Sequence, residues 1–271
     1  NFVYGTGSQY WTDAGRAALL TAAGVLSSYI VVSSPVTINY NVVGQNSPGS
    51  GTLSSAWANF TSGNPGFYPT LVENKVLAGV DYNGGSADSQ VTWNFAYPWA
   101  LGDSVPNNQY DFKAVAVHEL LHSLGLITGS GDIASVDRNW TTFDQFLTTA
   151  DGTPVILPDF TVDPDYLANF TGASGGLYFS GPNAVAAYGG PVPVYTPSTW
   201  SNGSSVSHVD PNAPNGPYVM EPWSYYGPGV DGITAVELGM LADLGYTIDP
   251  QPRVVVLMFF GFGLLRRRSR G

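Results

Sequence analysis

The segment His118-Glu119-Leu120-Leu121-His122 places two imidazoles and one carboxylate at a spacing that metal chemistry can use. On an α-helix, residues four apart lie one turn above each other, so both histidines can reach a single ion while Glu119 sits on the adjoining face. Two nitrogens then position the ion. The carboxylate, one shell out, takes a proton from a metal-bound water and passes it to a leaving amine. The chain holds only three His and four Glu, and shuffled sequences of that composition would show H-E-x-x-H roughly a few times in ten thousand. A chance pairing of surface histidines is therefore a poor explanation, and the segment predicts a zinc site.

A catalytic zinc takes three protein ligands and keeps one position open, so a third donor is required. The spacing of the long motif H-E-x-x-H-x-x-G-x-x-H does not supply it, because Thr128 stands at the last position. Gly125 does match the motif's glycine, which lets the chain turn sharply after the helix. The remaining histidine, His208, lies 86 residues beyond His122 in the polar run Ser204-Ser205-Val206-Ser207-His208-Val209-Asp210 and is the first candidate. A carboxylate such as Glu237 is the second. Asp210 reads either as an acceptor that orients an imidazole or as a turn residue. Twelve residues past His208, Tyr218-Val219-Met220-Glu221-Pro222 puts a Met before x-Pro in a tight turn, where it is either core filling or part of the site.

The element that must carry the first motif is the best helix in the chain. Over 111–124, Phe112, Val115, Ala116, Leu120 and Leu124 form a stripe at 3- and 4-residue spacing, and Gly125 suits a left-handed C-terminal turn. Residues 13–29 read as an Ala/Leu-rich helix with Asp13 as N-cap. Pro35 to Val42 and Gln90 to Phe95 alternate as strands do. Residues 44–66 are Gly- and Ser-rich loop, 71–80 is a short apolar piece, and 129–207 reads as irregular structure with short strands. A last helix starts near Thr234, where Thr234-Ala235-Val236-Glu237 fits a capping box and Val236, Met240, Leu241 and Leu244 form the buried face.

Composition limits the function classes. With 271 residues, 44% of them apolar and 11% charged, the chain can bury one substantial core rather than several small ones. Five of its nine basic residues lie after residue 250, so residues 1–250 carry four basic against twenty acidic groups, a formal −16. An acidic body repels phosphate backbones, which argues against nucleic acid as a partner. The absence of cysteine excludes disulfides and thiolate zinc sites, leaving His and carboxylate to hold any metal. After Pro250-Gln251-Pro252, twelve largely apolar residues, Val254 to Leu265, precede Arg266-Arg267-Arg268-Ser269-Arg270. As a helix that stretch spans roughly 18 Å against a hydrocarbon core of roughly 30 Å, too short for a stable anchor and suited to a processed sorting signal.

Together, His118-Glu119-Leu120-Leu121-His122-Ser123-Leu124-Gly125, Ser207-His208-Val209-Asp210, Val219-Met220-Glu221-Pro222 and the closing Asp243-Leu244-Gly245-Tyr246 resemble the metzincin clan. The likeness is to its leishmanolysin-like and bacterial relatives, in which a long insertion precedes the third His. Phe143-Asp144-Gln145-Phe146-Leu147 and Tyr178-Phe179-Ser180-Gly181-Pro182 in the insertion also resemble bacterial sequences of this kind, so the likeness spans roughly residues 90–247. It implies that His118, His122 and His208 bind zinc, that Glu119 is the general base and that Met220 forms the Met-turn beneath the metal. Where some metzincins have a Tyr two residues past that Met, this chain has Pro222, leaving Tyr225 or Tyr226 as the candidate for polarising the oxyanion. The tail resembles the bacterial PEP-CTERM sorting signal, with Gln251 where that signal has Glu, and implies export by a Gram-negative bacterium with transient membrane contact.

The expectation is an α+β, metzincin-like zincin of two lobes about a cleft: 1–125 ending in the zinc-binding helix, 126–249 carrying the third ligand and Met-turn, and 250–271 as the sorting tail. Its function would be that of a secreted zinc-dependent endopeptidase acting on protein or peptide substrates. The rivals are a surface or matrix protein with a structural metal, and a zinc hydrolase acting on non-peptide amides.

Overall fold

Thr12 opens the first long helix, α1 (Asp13–Tyr29), by accepting the Gly15 amide on its hydroxyl. The N-cap is thus Thr12 and not Asp13, which occupies the first helical turn and complements the helix dipole there. The structure, a computed structural model, describes residues 1–131, 138–230 and 232–249. The sorting tail expected at 250–271 lies outside the described residues. Among the described residues no helix is long and apolar enough to cross a membrane.

Strand β1 (Phe2–Tyr4) precedes α1, which runs directly into β2 (Ile30–Val31); β3 (Tyr40–Gln45) and β4 (Ser54–Ala58) follow. After β5 (Gly66–Tyr68) and helix α2 (Leu71–Ala78) come β6 (Ser89–Asn94), β7 (Trp99–Ala100) and β8 (Tyr110–Asp111). The main sheet has the order β1-β3-β6-β4, with β1, β3 and β6 parallel and β4 antiparallel at one edge. The strand expected from Pro35 starts only at Tyr40, because Asn39 donates its amide to the Asp88 carboxylate rather than to a strand. The apolar piece at 71–80 is a helix. Thr70 and Glu73 cap each other's backbone in a full capping box, and Gly79 takes the left-handed C-terminal position.

The site helix, α3 (Phe112–Ser123), lies against the sheet and α1, buried on nearly every face. Trp11, Trp93 and Phe112 lock it there, with ring centroids 5.2–5.9 Å apart in edge-to-face and stacked pairs.

Beyond α3 the chain is α+β in short pieces. Strands β9 (Asn139–Thr141), β10 (Leu147–Thr148) and β11 (Leu177–Phe179) lead to helix α4 (Pro182–Tyr188), strand β12 (Val192–Val194), helix α5 (Ala235–Asp243) and strand β13 (Thr247–Ile248). Strands β10, β11 and β12 form a three-stranded antiparallel sheet. The two sequence motifs of the insertion and closing segment meet here: the Asp243 carboxylate accepts the Asn183 and Ala184 amides and so caps α4, and a Cβ on Gly181 would lie 2.2 Å from Asp243 Oδ2. Thr234 and Glu237 form the expected capping box at the start of α5.

Candidate metal centre

Asp111 starts α3 by accepting the Lys113 and Ala114 amides, and its other carboxylate oxygen accepts the Gly229 amide, which ties the late loop to the helix N-terminus. One helical turn apart, His118 and His122 present rings with centroids 4.7 Å apart. The helix then ends at Gly125, whose φ of +105° turns the chain so that the Leu126 carbonyl comes back to His122 Nδ1 at 2.7 Å.

His208 arrives by a different route. Its segment pairs with the end of the insertion sheet: Val206 donates to the Tyr195 carbonyl, Tyr195 to the His208 carbonyl and Asp210 to the Pro193 carbonyl, at 2.8–3.0 Å. On its other side Val209 donates to the Met220 carbonyl at 2.8 Å. Clamped between these strands, the His208 ring lies 5.0 Å from that of His118 and 4.8 Å from that of His122. Two residues before it, the fully buried Val206 has φ +68°, a conformation that a β-branched residue adopts only under tertiary constraint.

Each ring is oriented by a backbone carbonyl. His118 Nδ1 donates to Val219, His122 Nδ1 to Leu126 and His208 Nδ1 to Ser204, all at 2.7 Å. A carbonyl can only accept, so each neutral ring keeps its proton on Nδ1 and turns a lone pair out on Nε2. His118 Nε2 lies 3.2 Å from Nε2 of both other rings. Lone pairs facing one another at that range repel unless a cation lies between them. A tetrahedral ion bonded to nitrogen at about 2.0–2.1 Å requires nitrogens about 3.3–3.4 Å apart, close to what is found. The three histidines are therefore close enough to hold a metal ion. Burial lowers the basicity of all three, taking His122 down to about 3, so the rings are neutral donors at neutral pH.

Glu119 is 4% exposed and does not join the ligand group. One oxygen, Oε1, accepts the Ser54 hydroxyl at 2.5 Å, while Oε2 is buried without a hydrogen-bond partner. Burial pushes this carboxyl up to about 7, the Ser54 bond opposing the shift. The three histidines and Glu119 line one cleft of about 910 Å³. Its lining includes β4 and the residues just before it, and the 201–205 and 221–224 segments.

Several sequence candidates find other places. Glu237, the alternative ligand, spends one oxygen on the Met220 amide and the other on the Thr234 amide, both at 2.8 Å, and so supports the segment whose Val219 carbonyl orients His118. Asp210 accepts from Asn212 and is a turn residue, whereas the His208 ring uses the Ser204 carbonyl. Thr128 is buried and donates to Asp144, which also accepts from Gly129 and Thr141 and latches the insertion to the chain leaving α3. Met220 is buried and lines a small cavity together with His208. Tyr225 and Tyr226 are exposed, with the Tyr226 ring tilted against that of Tyr110 at 4.4 Å, and neither lines the cleft. The tyrosines that do are Tyr97 and Tyr110. Sequence reasoning missed Ser54, which sits in a Ser- and Gly-rich stretch that carries no distinguishing signal, and the three orienting carbonyls, which no side-chain pattern encodes.

No family model matches the chain, and no curated protein matches it.

Proposed function

We propose that this chain is a metzincin-like zinc endopeptidase, exported to the cell surface or beyond, that hydrolyses peptide bonds with Glu119 as general base. The observation that carries the reading is the convergence of three Nε2 lone pairs on one point of a cleft that also holds a carboxylate with one bonded and one free oxygen. His118, His122 and His208 would hold the ion, which when bound supplies Lewis-acid polarisation and lowers the pKa of water. The imidazoles enter neutral and pre-oriented, so little reorganisation is needed to bind it. Glu119 Oε2 accepts a proton from the attacking water and delivers it to the leaving amine, while Ser54 keeps Oε1 occupied. Strand β4, at the edge of the sheet, lines the cleft, and among the described residues its lining has no Lys or Arg, in keeping with the acidic body.

Among the described residues the ligand group stops at three, and Glu119 is held aside by Ser54. That favours a site with an open position over the four-ligand set of a purely structural zinc. The test is Glu119→Gln in zinc-loaded protein. Hydrolysis of a casein or peptide-library substrate should fall at least about 10²-fold while bound zinc stays at one per chain. Activity retained in the metal-loaded variant would sink the assignment.

A further inference from the structure

Glu119 lines the cleft on a long side chain, and a general base serves only if its accepting oxygen is held within a fraction of an ångström of its task. Helix α3 fixes the Glu119 Cα but not its outer torsions. Among the described residues, the side chain bonded to the carboxylate comes from β4: Ser54, its first residue. Its placement is fixed by the sheet. Ser54 lies opposite Trp93 of β6, and the preceding Leu53 carbonyl accepts the Asn94 amide at 2.9 Å. Along β4, Ser55 and Trp57 are exposed while Ser54, Ala56 and Ala58 are covered, so the alternation turns Ser54 toward α3.

We propose that Ser54 is a positioning residue for catalysis: its hydroxyl pins Glu119 Oε1 and leaves Oε2, the oxygen without a partner, as the one that accepts the proton. The proposal rests on the peptidase reading of the site. The bond from the strand decides which of the two oxygens is left over, and does so without a charge that would quench the base. It also makes the cleft wall and the base a single unit, so that a displacement of β4 is felt at Glu119. The serine is not needed to hold the metal, since each histidine has its own carbonyl partner.

The experiment compares Ser54→Ala and Ser54→Thr with the parent in zinc-loaded protein. Three quantities are read: zinc content, kcat and KM on one peptide, and the affinity of acetohydroxamate by calorimetry, whose hydroxyl requires a correctly placed carboxylate. For S54A, kcat should fall about 10- to 100-fold with KM and zinc content within twofold of the parent, and hydroxamate affinity should fall about tenfold. S54T, which keeps the hydroxyl and suits a strand, should recover both to within about threefold. A S54A protein with unchanged kcat and hydroxamate affinity overturns the proposal, and so does a S54T protein that folds, binds zinc and is as impaired as S54A. If the parent hydrolyses no peptide, the peptidase reading fails, and Ser54 is then judged by the hydroxamate ratio alone.

Discussion

At the level of single residues, the site is made by assigning each polar atom one partner. The imidazoles give their Nδ1 protons to carbonyls and the ligand lone pairs remain; Glu119 gives one oxygen to Ser54 and the other remains. Behind the site helix, Glu73 shows the same economy with a different result. It is fully buried, accepts the Thr70 amide and the Thr142 hydroxyl, and burial raises its carboxyl from 4.5 to about 7. The folded protein therefore binds a proton that the unfolded chain releases above pH 4.5. Glu73's contribution is fully present below that pH and is lost as pH rises through 7, by about 3 kcal/mol at 1.36 kcal/mol per unit. Glu73→Gln removes this penalty. In urea unfolding of zinc-loaded protein, the stability of the variant relative to the parent should rise by about 1–3 kcal/mol between pH 5 and pH 8. A flat difference would show that Glu73 titrates normally.

At the level of elements, α3 works because of how it ends. A Cβ on Gly125 would lie 2.9 Å from Glu73 Oε2 and 3.0 Å from Leu244 Cδ1, on a backbone with φ +105°. Gly125→Ala should destabilise the protein by at least about 1–2 kcal/mol in thermal or urea unfolding, from the backbone term alone. It should also weaken zinc binding, since the next residue supplies the carbonyl that orients His122. A variant as stable as the parent would mean that the turn relaxes freely. Helices with strong periodicity or a capping signal were legible: α1, α3 and the capping box of α5 appear where the pattern places them. The helix at 71–78 was legible in principle from Thr70-x-x-Glu73 and Gly79, a signal outweighed by its shortness and the loops around it. The strand expected from Pro35 starts late because alternation marks a strand only where a partner is available, and at Asn39 the partner is the Asp88 side chain.

For the whole molecule, the three-histidine cluster spans a chain separation that no local preference can close. His208 is brought to α3 by the β12 pairing, by the Met220 carbonyl and by the Asp144 latch that fastens the insertion. An ion bound by both parts holds them together in the native state alone, so its removal should cost stability. With free zinc about 1,000-fold above Kd the loss on chelation is about 4 kcal/mol, or about 10 °C in Tm for a chain of this size. Calorimetry before and after chelator, with recovery on adding zinc back, measures it, and an unchanged Tm would speak against a metal bridging these segments.

What the sequence alone determined is what nearest neighbours on one helix can encode: two histidines and a glutamate at i, i+4 and i+1, a glycine to end the helix, and the exclusion of Thr128 as third ligand. It also ranked His208 ahead of Glu237 as the third donor, a choice that the local sequence could not enforce. That choice is made by competition for partners in three dimensions. Glu237 is consumed by the Met220 and Thr234 amides, whereas His208 is carried to the two helix histidines by backbone pairings with residues far along the chain. The same holds for Ser54, whose neighbours in sequence say nothing of Glu119. Its role exists only because the edge of the sheet is laid beside α3, a contact created by burial of the core between them.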